Sequence, residues 1–351
     1  MLAIRSANRV GMTVRSVASV WRVSEGLEER MQAVQTGVAV PQSREEIRGP
    51  RLREPPGCRH NHIRKEGDVA LTHVRSVARP STLGEAWEEK AARGEAARFF
   101  GGGIDVVLFT PPTVHTLIDL AGLDLHGVRQ VGGGLEIGAL TTMSDALHSP
   151  AVEAFANGFL CQVLRRVASP LQRNLGTLGG TIASAHPWSD VIPALLALDA
   201  ELRIFSGESR SIRLEEFLAD RAACCEAIIE AILLPMGAGE RVATYHSFTR
   251  TAFDISLLNV AFSAHVDQGV WRDVRVVVGG RPGLAARQTS VEVRLEGAKP
   301  ADLDLAAVAR DASEQVDVRD DIRASATYRR TLVDTLLLRC LKVLGGGGNS
   351  E

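Results

Sequence analysis

Arg173-Asn174-Leu175-Gly176-Thr177-Leu178-Gly179-Gly180-Thr181-Ile182-Ala183, followed two residues later by His186-Pro187-Trp188-Ser189-Asp190, is the stretch whose reading decides the fold. Glycines and threonines alternate here between two apolar segments. Glycine lets a backbone approach a ligand closely, and threonine hydroxyls add donors, a combination suited to phosphate oxygens. On physics alone the stretch reads equally well as a packed glycine-rich turn. Upstream lies a second glycine run, Phe99-Phe100-Gly101-Gly102-Gly103-Ile104-Asp105-Val106. It lacks the third-spaced glycine of a dinucleotide fingerprint, and the apolar run Ile104 to Phe109 reads as a strand where that fingerprint requires a helix. No Gly-Lys-Ser/Thr follows, so it is not a P-loop. Two such loops can clamp one diphosphate from two sides. Asp190 reads either as a first-turn helix carboxylate favoured by the helix dipole or as an acceptor for a ribose hydroxyl.

Around these loops the pattern predicts helices and short strands in α+β order. Pro80-Ser81 precedes a first helix, with Ser81 as its cap. Val114 to Asp119 reads as a strand. Val128–Val131 and Leu135–Ala139 flank Gly132-Gly133-Gly134 as a hairpin. Val152, Phe155, Ala156, Phe159, Leu160, Val163, Leu164 and Val167 keep helical spacing and predict one helix from Pro150 to Val167, capped by Ser149. Ser189 is expected to cap a short helix through Leu198. Glu201–Phe205 and Arg210–Arg213 form a second hairpin. Strands follow at Ala227–Leu234, Val242–Phe248, Val260–Val266 and Trp271–Val278, then helices at Leu303–Val316 and Ile322–Leu344. Met1 to about Ala70 is Arg-rich and aperiodic and is expected to be a disordered extension; residues 345–351 read as a flexible tail.

Composition narrows the function. A net charge of −2 supplies no basic field, and 5% aromatics supply few stacking platforms, so a nucleic-acid partner is not expected. No apolar run reaches the roughly 18 residues of a membrane span. Arg5, Arg9, Arg15 and Arg22 interrupt any signal-peptide core. A cytoplasmic location is the expectation. Cys58, Cys161, Cys224, Cys225 and Cys340 form no C-x-x-C and no ferredoxin-like run. Free thiols are expected, and an iron–sulfur cluster would have to sit on another chain. His186, His246 and His265 show no metal-ligand spacing. Glu226 and Glu230 lie at a strand end and do not read as an acid–base pair.

Arg173–Ala183 followed by Ser189-Asp190-Val191-Ile192-Pro193-Ala194-Leu195-Leu196-Ala197-Leu198 resembles the signature of the FAD-binding domain of molybdopterin dehydrogenases. That family includes the flavin subunits of bacterial xanthine dehydrogenase and aerobic carbon monoxide dehydrogenase. Gly101–Asp105 is similar to the family's first FAD loop. Ile137-Gly138-Ala139-Leu140-Thr141-Thr142 is similar to a family strand, and Asp321–Arg330 to the start of its C-terminal helical region. The likeness runs from about Leu71 to Leu344.

The resemblance implies a two-lobed FAD-binding domain of the molybdopterin-dehydrogenase (PCMH-like) type over 71–238, with lobes 71–127 and 128–238. An α+β domain of antiparallel strands and helices over 239–344 would follow it. It places Phe99, Phe100, Gly101, Gly102, Gly103, Ile104, Asp105 and Val106, with Thr177, Leu178, Gly179, Gly180 and Thr181, around the diphosphate. Val167 would lie on the flavin side, Asp190 at the adenosine ribose and Ile229 at the isoalloxazine, with His246 or Ser247 where the family carries a lysine. Ile104 stands in place of the family's Thr, Thr181 in place of Asn, and Phe109-Thr110 in place of a Met-Lys pair. The implied partners are a 2Fe-2S small subunit, a molybdopterin-binding large subunit, and NAD or another electron acceptor. A free-standing FAD oxidoreductase and a flavin-free structural subunit are the alternative readings.

Overall fold

The structure, a computed structural model, describes residues 71–220, 226–236, 241–281 and 283–345. The expected extension before residue 71 and nearly all of the expected tail lie outside these residues. The described chain forms three sheets. The first is a small parallel sheet of β1 (Ser76–Ala78), β2 (Ala97–Phe100) and β3 (Thr116–Asp119), with β3 in the middle. Parallel neighbours need crossovers, and these are α1 (Leu83–Arg93) and α2 (Ile104–Phe109).

α2 overturns the expected strand at Ile104–Phe109. A short continuous apolar run cannot be assigned by periodicity, and tertiary placement decides it. Val106 is buried with Val114 and Leu117, while Val107, Leu108 and Phe109 stay exposed, a one-sided burial that suits a helix. Gly103 enters α2 with φ 78, and Arg98 Nη1 donates to Phe109 O at its far end (2.9 Å). The glycine run therefore joins a strand to a helix. The cap of α1 also differs from expectation: Thr82, not Ser81, accepts from Glu85 N–H (3.1 Å), while Ser81 binds the Glu85 carboxylate.

The second sheet is antiparallel, in the order β4-β5-β8-β6-β7, from β4 (Val128–Val131), β5 (Gly134–Gly138), β6 (Glu201–Phe205), β7 (Ser209–Arg213) and β8 (Ile228–Leu234). Between β5 and β6 run α3 (Met143–Leu147), α4 (Pro150–Ala154), α5 (Phe159–Leu164), α6 (Pro170–Arg173), α7 (Leu178–Ser184) and α8 (Val191–Ala197). The single helix expected from Pro150 to Val167 is broken. Ala156, Asn157 and Gly158 adopt left-handed φ values of 47, 54 and 70. The apolar spacing survives the break because Phe155 and Ala156 pack on the same core as Phe159, Leu160 and Val163. α9 (Leu214–Ala219) closes this lobe. The first lobe packs on it through Ala86, Ile118, Leu120, Leu125, Leu140 and Ile228.

The third sheet, β12-β11-β10-β9, is antiparallel and comprises β9 (Arg241–Phe248), β10 (Leu258–Asp267), β11 (Val270–Gly279) and β12 (Ala286–Arg287). One face, with Tyr245, Ala261 and Val277, joins the core of the second lobe. The other, with Val260, Phe262, Val276 and Val278, is covered by α10 (Thr289–Leu295), α11 (Leu305–Gln315) and α12 (Ala326–Leu344). Burial on both faces explains why β10 reads as a continuous apolar run rather than an alternating one. α12 starts later than the expected Ile322, because Ser325 accepts from Tyr328 N–H as its cap and Ile322 is fully exposed. No helix among the described residues is long and apolar enough to cross a membrane.

Candidate functional site

The two glycine loops meet. A Cβ on Gly102 would overlap the Leu175 carbonyl oxygen and lie 2.7 Å from its carbon; one on Gly101 would lie 2.7 Å from Leu140 Cδ2. Ile104 lies over Gly176, whose Cβ would stand 3.4 Å from Ile104 Cδ1. The glycines at 101, 102 and 179 thus permit close approach at the junction, and Gly179 does so against Ala139.

The loops differ in what their N–H groups do. In the second loop, Leu178 N donates to Thr141 O, Gly179 N to Ala139 O, Gly180 N to the Thr177 side chain and Thr181 N to Thr177 O, at 2.8–3.1 Å. These N–H groups of the loop are thus taken, two by Thr177 within it and two by Ala139 and Thr141 outside it. In the first, the earliest intrahelical bond is Val107 N to Gly103 O (3.1 Å). The N–H groups of Ile104, Asp105 and Val106 precede it and have no acceptor within the helix. Gly103 has open space where a side chain would be. A glycine run after the strand and a helix start whose first N–H groups have no acceptor among the described residues form a cradle that fits a diphosphate. Phe99 and Phe100 pack into different core clusters, and Val106 is buried, so these three shape the cradle from behind.

Asp105 leaves the cradle sideways. Its Oδ1 lies 3.1 Å from His186 Nε2. Burial by itself would raise its pKa; hydrogen bonds from His186 and Ser184, with the charges of His186 and Arg98, outweigh burial and hold the carboxyl below its ordinary value. His186 stacks on Trp188 (centroids 4.6 Å, planes 9° apart) and meets Phe109 at 5.3 Å.

Asp190 stands at the start of α8. Its Oδ1 accepts from Tyr245 Oη (2.5 Å), Ser256 Oγ (2.6 Å) and Asn259 Nδ2 (2.8 Å). Burial, then the Asp190 charge beside it, pushes the Tyr245 phenol well above its ordinary value and keeps it a donor. Ser189 does not take the cap position, although its Oγ accepts from Ile192 N (3.3 Å). Sequence reasoning missed Tyr245, Ser256 and Asn259, because nothing local ties residues so far along the chain to Asp190.

Val167 lies in a bend after α5, next to Ala168 with φ 49. Arg173 Nη1 donates to both Val167 O (2.7 Å) and Ala168 O (2.9 Å). Replacing Arg173 with Leu should release this bend. The freed carbonyls can reach water, so we expect a loss of about 1–2 kcal/mol, seen as a melting temperature lower by roughly 2–6 °C; an unchanged melt would show that the bend holds itself. Ile229 is buried in β8 beside Glu230, whose carbonyl accepts from Ala139 N (2.9 Å), and Ala139 in turn packs against Gly179. His246 is not brought to this cluster. It pairs with Val260 and lies on the α12 side of β9, opposite Tyr245. Burial, then Arg166 and Arg339, holds its ring below the ordinary pKa.

Residues 72–237 match the FAD binding domain in molybdopterin dehydrogenase, and residues 243–344 the CO dehydrogenase flavoprotein C-terminal domain. Among relatives, the glyceraldehyde dehydrogenase medium chain of Sulfolobus acidocaldarius is 28% identical over 62% of this chain and 79% of its own. The nicotine 6-hydroxylase medium subunit of Paenarthrobacter nicotinovorans is 26% identical over 76% of this chain and 96% of its own. The fold is shared with carbon monoxide dehydrogenase from Hydrogenophaga pseudoflava (TM-score 0.71, 23% identity, 79% of this chain and 99% of that one). It is shared also with quinoline 2-oxidoreductase from Pseudomonas putida 86 (TM-score 0.69, 24% identity, 78% and 98%). The matched domains, their order and the paired glycine loops agree: the chain belongs to the FAD-binding medium-subunit family of the molybdopterin, xanthine and carbon monoxide dehydrogenases.

Proposed function

We propose that this chain binds FAD and relays electrons within a molybdenum hydroxylase complex, from a 2Fe-2S small subunit to NAD or another acceptor. A molybdopterin-binding large subunit would oxidise the substrate. The observation that carries the reading is the cradle at Gly101–Val106, with helix-start N–H groups that have no acceptor among the described residues and the second glycine loop packed against it.

Ile104, Asp105 and Val106 would offer N–H groups to the diphosphate, and Gly103 would leave room for it. Thr177 to Thr181 would hold the first loop in place from behind. Asp190 would accept from the adenosine ribose, with Val167 and Ile229 flanking the flavin end. His246 contributes to the packing of β9 on α12 rather than to the cradle. When bound, FAD supplies the redox chemistry, accepting electrons singly and delivering them as a pair. The chain's residues bind and orient it, and no general base or nucleophile on this chain is needed.

Acid precipitation of the purified holoprotein should release an equimolar amount of FAD into the supernatant. Assayed alone with a dye acceptor, the chain should oxidise no purine, aldehyde or carbon monoxide, and turnover should return when both partner subunits are added. A colourless protein, or robust substrate oxidation by the lone chain, would overturn the reading.

A further inference from the structure

The Asp190 carboxylate belongs to the second lobe, yet the three donors on its Oδ1 all come from the third-sheet region. Tyr245 is on β9, Ser256 on the β9–β10 connection and Asn259 on β10. Asn259 is fully buried and also donates to Ser189 O (3.2 Å), so it grips the backbone beside Asp190 as well as its side chain. Tyr245 is buried and kept protonated by its surroundings. Ser256 is fully buried, and its carbonyl accepts from Arg323 Nη1 (3.3 Å). A carboxylate held this way cannot rotate, because turning it would strip three buried donors of their acceptor. All three bonds converge on one oxygen. Oδ2 makes no hydrogen bond among the described residues, and Asp190 is only partly buried. The arrangement presents one fixed, charged acceptor outward.

We infer that Tyr245, Ser256 and Asn259 are positioning residues for dinucleotide recognition: the third sheet aims Asp190 Oδ2 at the vicinal hydroxyls of the adenosine ribose. This rests on the FAD reading above. It adds that affinity for the adenosine half is set by a sheet that carries neither glycine loop. A carboxylate free to rotate would lose part of each ribose bond to water and side-chain entropy, whereas a fixed one keeps both. A purely structural role for the three donors would dock the sheet on α8 and leave ribose recognition untouched.

The test uses the full chain stripped of flavin and titrated with FAD and with the analogue carrying 2′,3′-dideoxyadenosine, followed by flavin fluorescence. Wild-type protein should prefer FAD by roughly 10- to 100-fold, the range for hydrogen bonds to a charged group. Tyr245→Phe should weaken FAD by about tenfold and barely change the analogue, so that the preference shrinks towards unity. Ser256→Ala, which removes a smaller group, should shift it in the same direction and serves if Tyr245→Phe does not fold. Both variants retaining the wild-type preference, with only a lowered melting temperature, would overturn the inference. So would a wild-type protein that binds FAD and analogue equally. Wild-type protein that binds neither would instead overturn the FAD reading itself.

Discussion

Gly102→Val should yield a chain that purifies with less than about a tenth of the wild-type flavin. The reason is the meeting of the two loops rather than the ligand alone. The new Cβ would occupy the Leu175 carbonyl oxygen. That peptide has little freedom: Leu175 N and Gly176 N both donate to Gln172 O (3.2 and 2.7 Å), and Gly176 O accepts from Met143 N (2.8 Å). One loop must therefore move, at the roughly 1–3 kcal/mol typical of overpacking, and the movement opens the cradle. Gly103→Ala separates strain from collision. It meets no protein atom and keeps φ 78 at a backbone strain of about 1 kcal/mol, but its Cβ takes room left for the diphosphate, so the fold should hold while flavin content falls. Gly180→Val should be intermediate, since its Cβ meets the Thr177 hydroxyl at 2.8 Å, a side chain that can yield at the expense of a helix cap. The check is flavin absorbance per chain together with a melting curve. Full flavin content in Gly102→Val would mean that the loops do not need their close approach.

Arg329→Met should lower the melting temperature by roughly 6–12 °C, corresponding to about 3 kcal/mol. Arg329 is 1% exposed. Its guanidinium donates to Leu257 O (2.5 Å) just before β10, to Gly280 O (2.6 Å) just after β11, and to Asp321 Oδ2 (2.5 Å). Methionine fills much of the volume but leaves two buried carbonyls without a donor. The effect should also reach the flavin, because Gly280 N donates to Pro187 O (3.1 Å), between His186 and Trp188. We expect flavin release at a temperature several degrees below wild type. Arg329→Lys, which keeps the charge but not the planar fork, should recover only part of the loss. A Met variant that melts within about 2 °C of wild type would show that the two carbonyls find other donors.

Much of the candidate site is legible in residue types and their spacing. Gly102 and Gly179 are informative residue by residue, because only glycine permits such backbone contact, and that requirement is written locally. The hairpin around Gly132-Gly133-Gly134 and the later strands are legible for the same reason: turn chemistry and period are local properties. Ile104–Phe109 is not. Five apolar residues and Asp105 carry no period, and their helix is set by Val114 and Leu117 on one side and solvent on the other. The break at Ala156–Gly158 is hidden because both segments bury the same face, so the apolar spacing runs through it undisturbed.

By itself the sequence determined the family, the order of its parts and the two glycine loops, since these rest on residue types at fixed spacing. Only the tertiary structure decided that the loops pack on each other, that the second has its N–H groups taken by Thr177, Ala139 and Thr141 while those at the start of the first helix have no acceptor among the described residues, and that Asp190 is held by Tyr245, Ser256 and Asn259. It also put His246 on the α12 side of β9, opposite Tyr245, because on a strand one position changes the face. The physical reason is common to all of these. A hydrogen-bonding group has several possible partners along the chain, and which one it meets depends on how separate sheets and helices bury their apolar faces, a global outcome that no local pattern records.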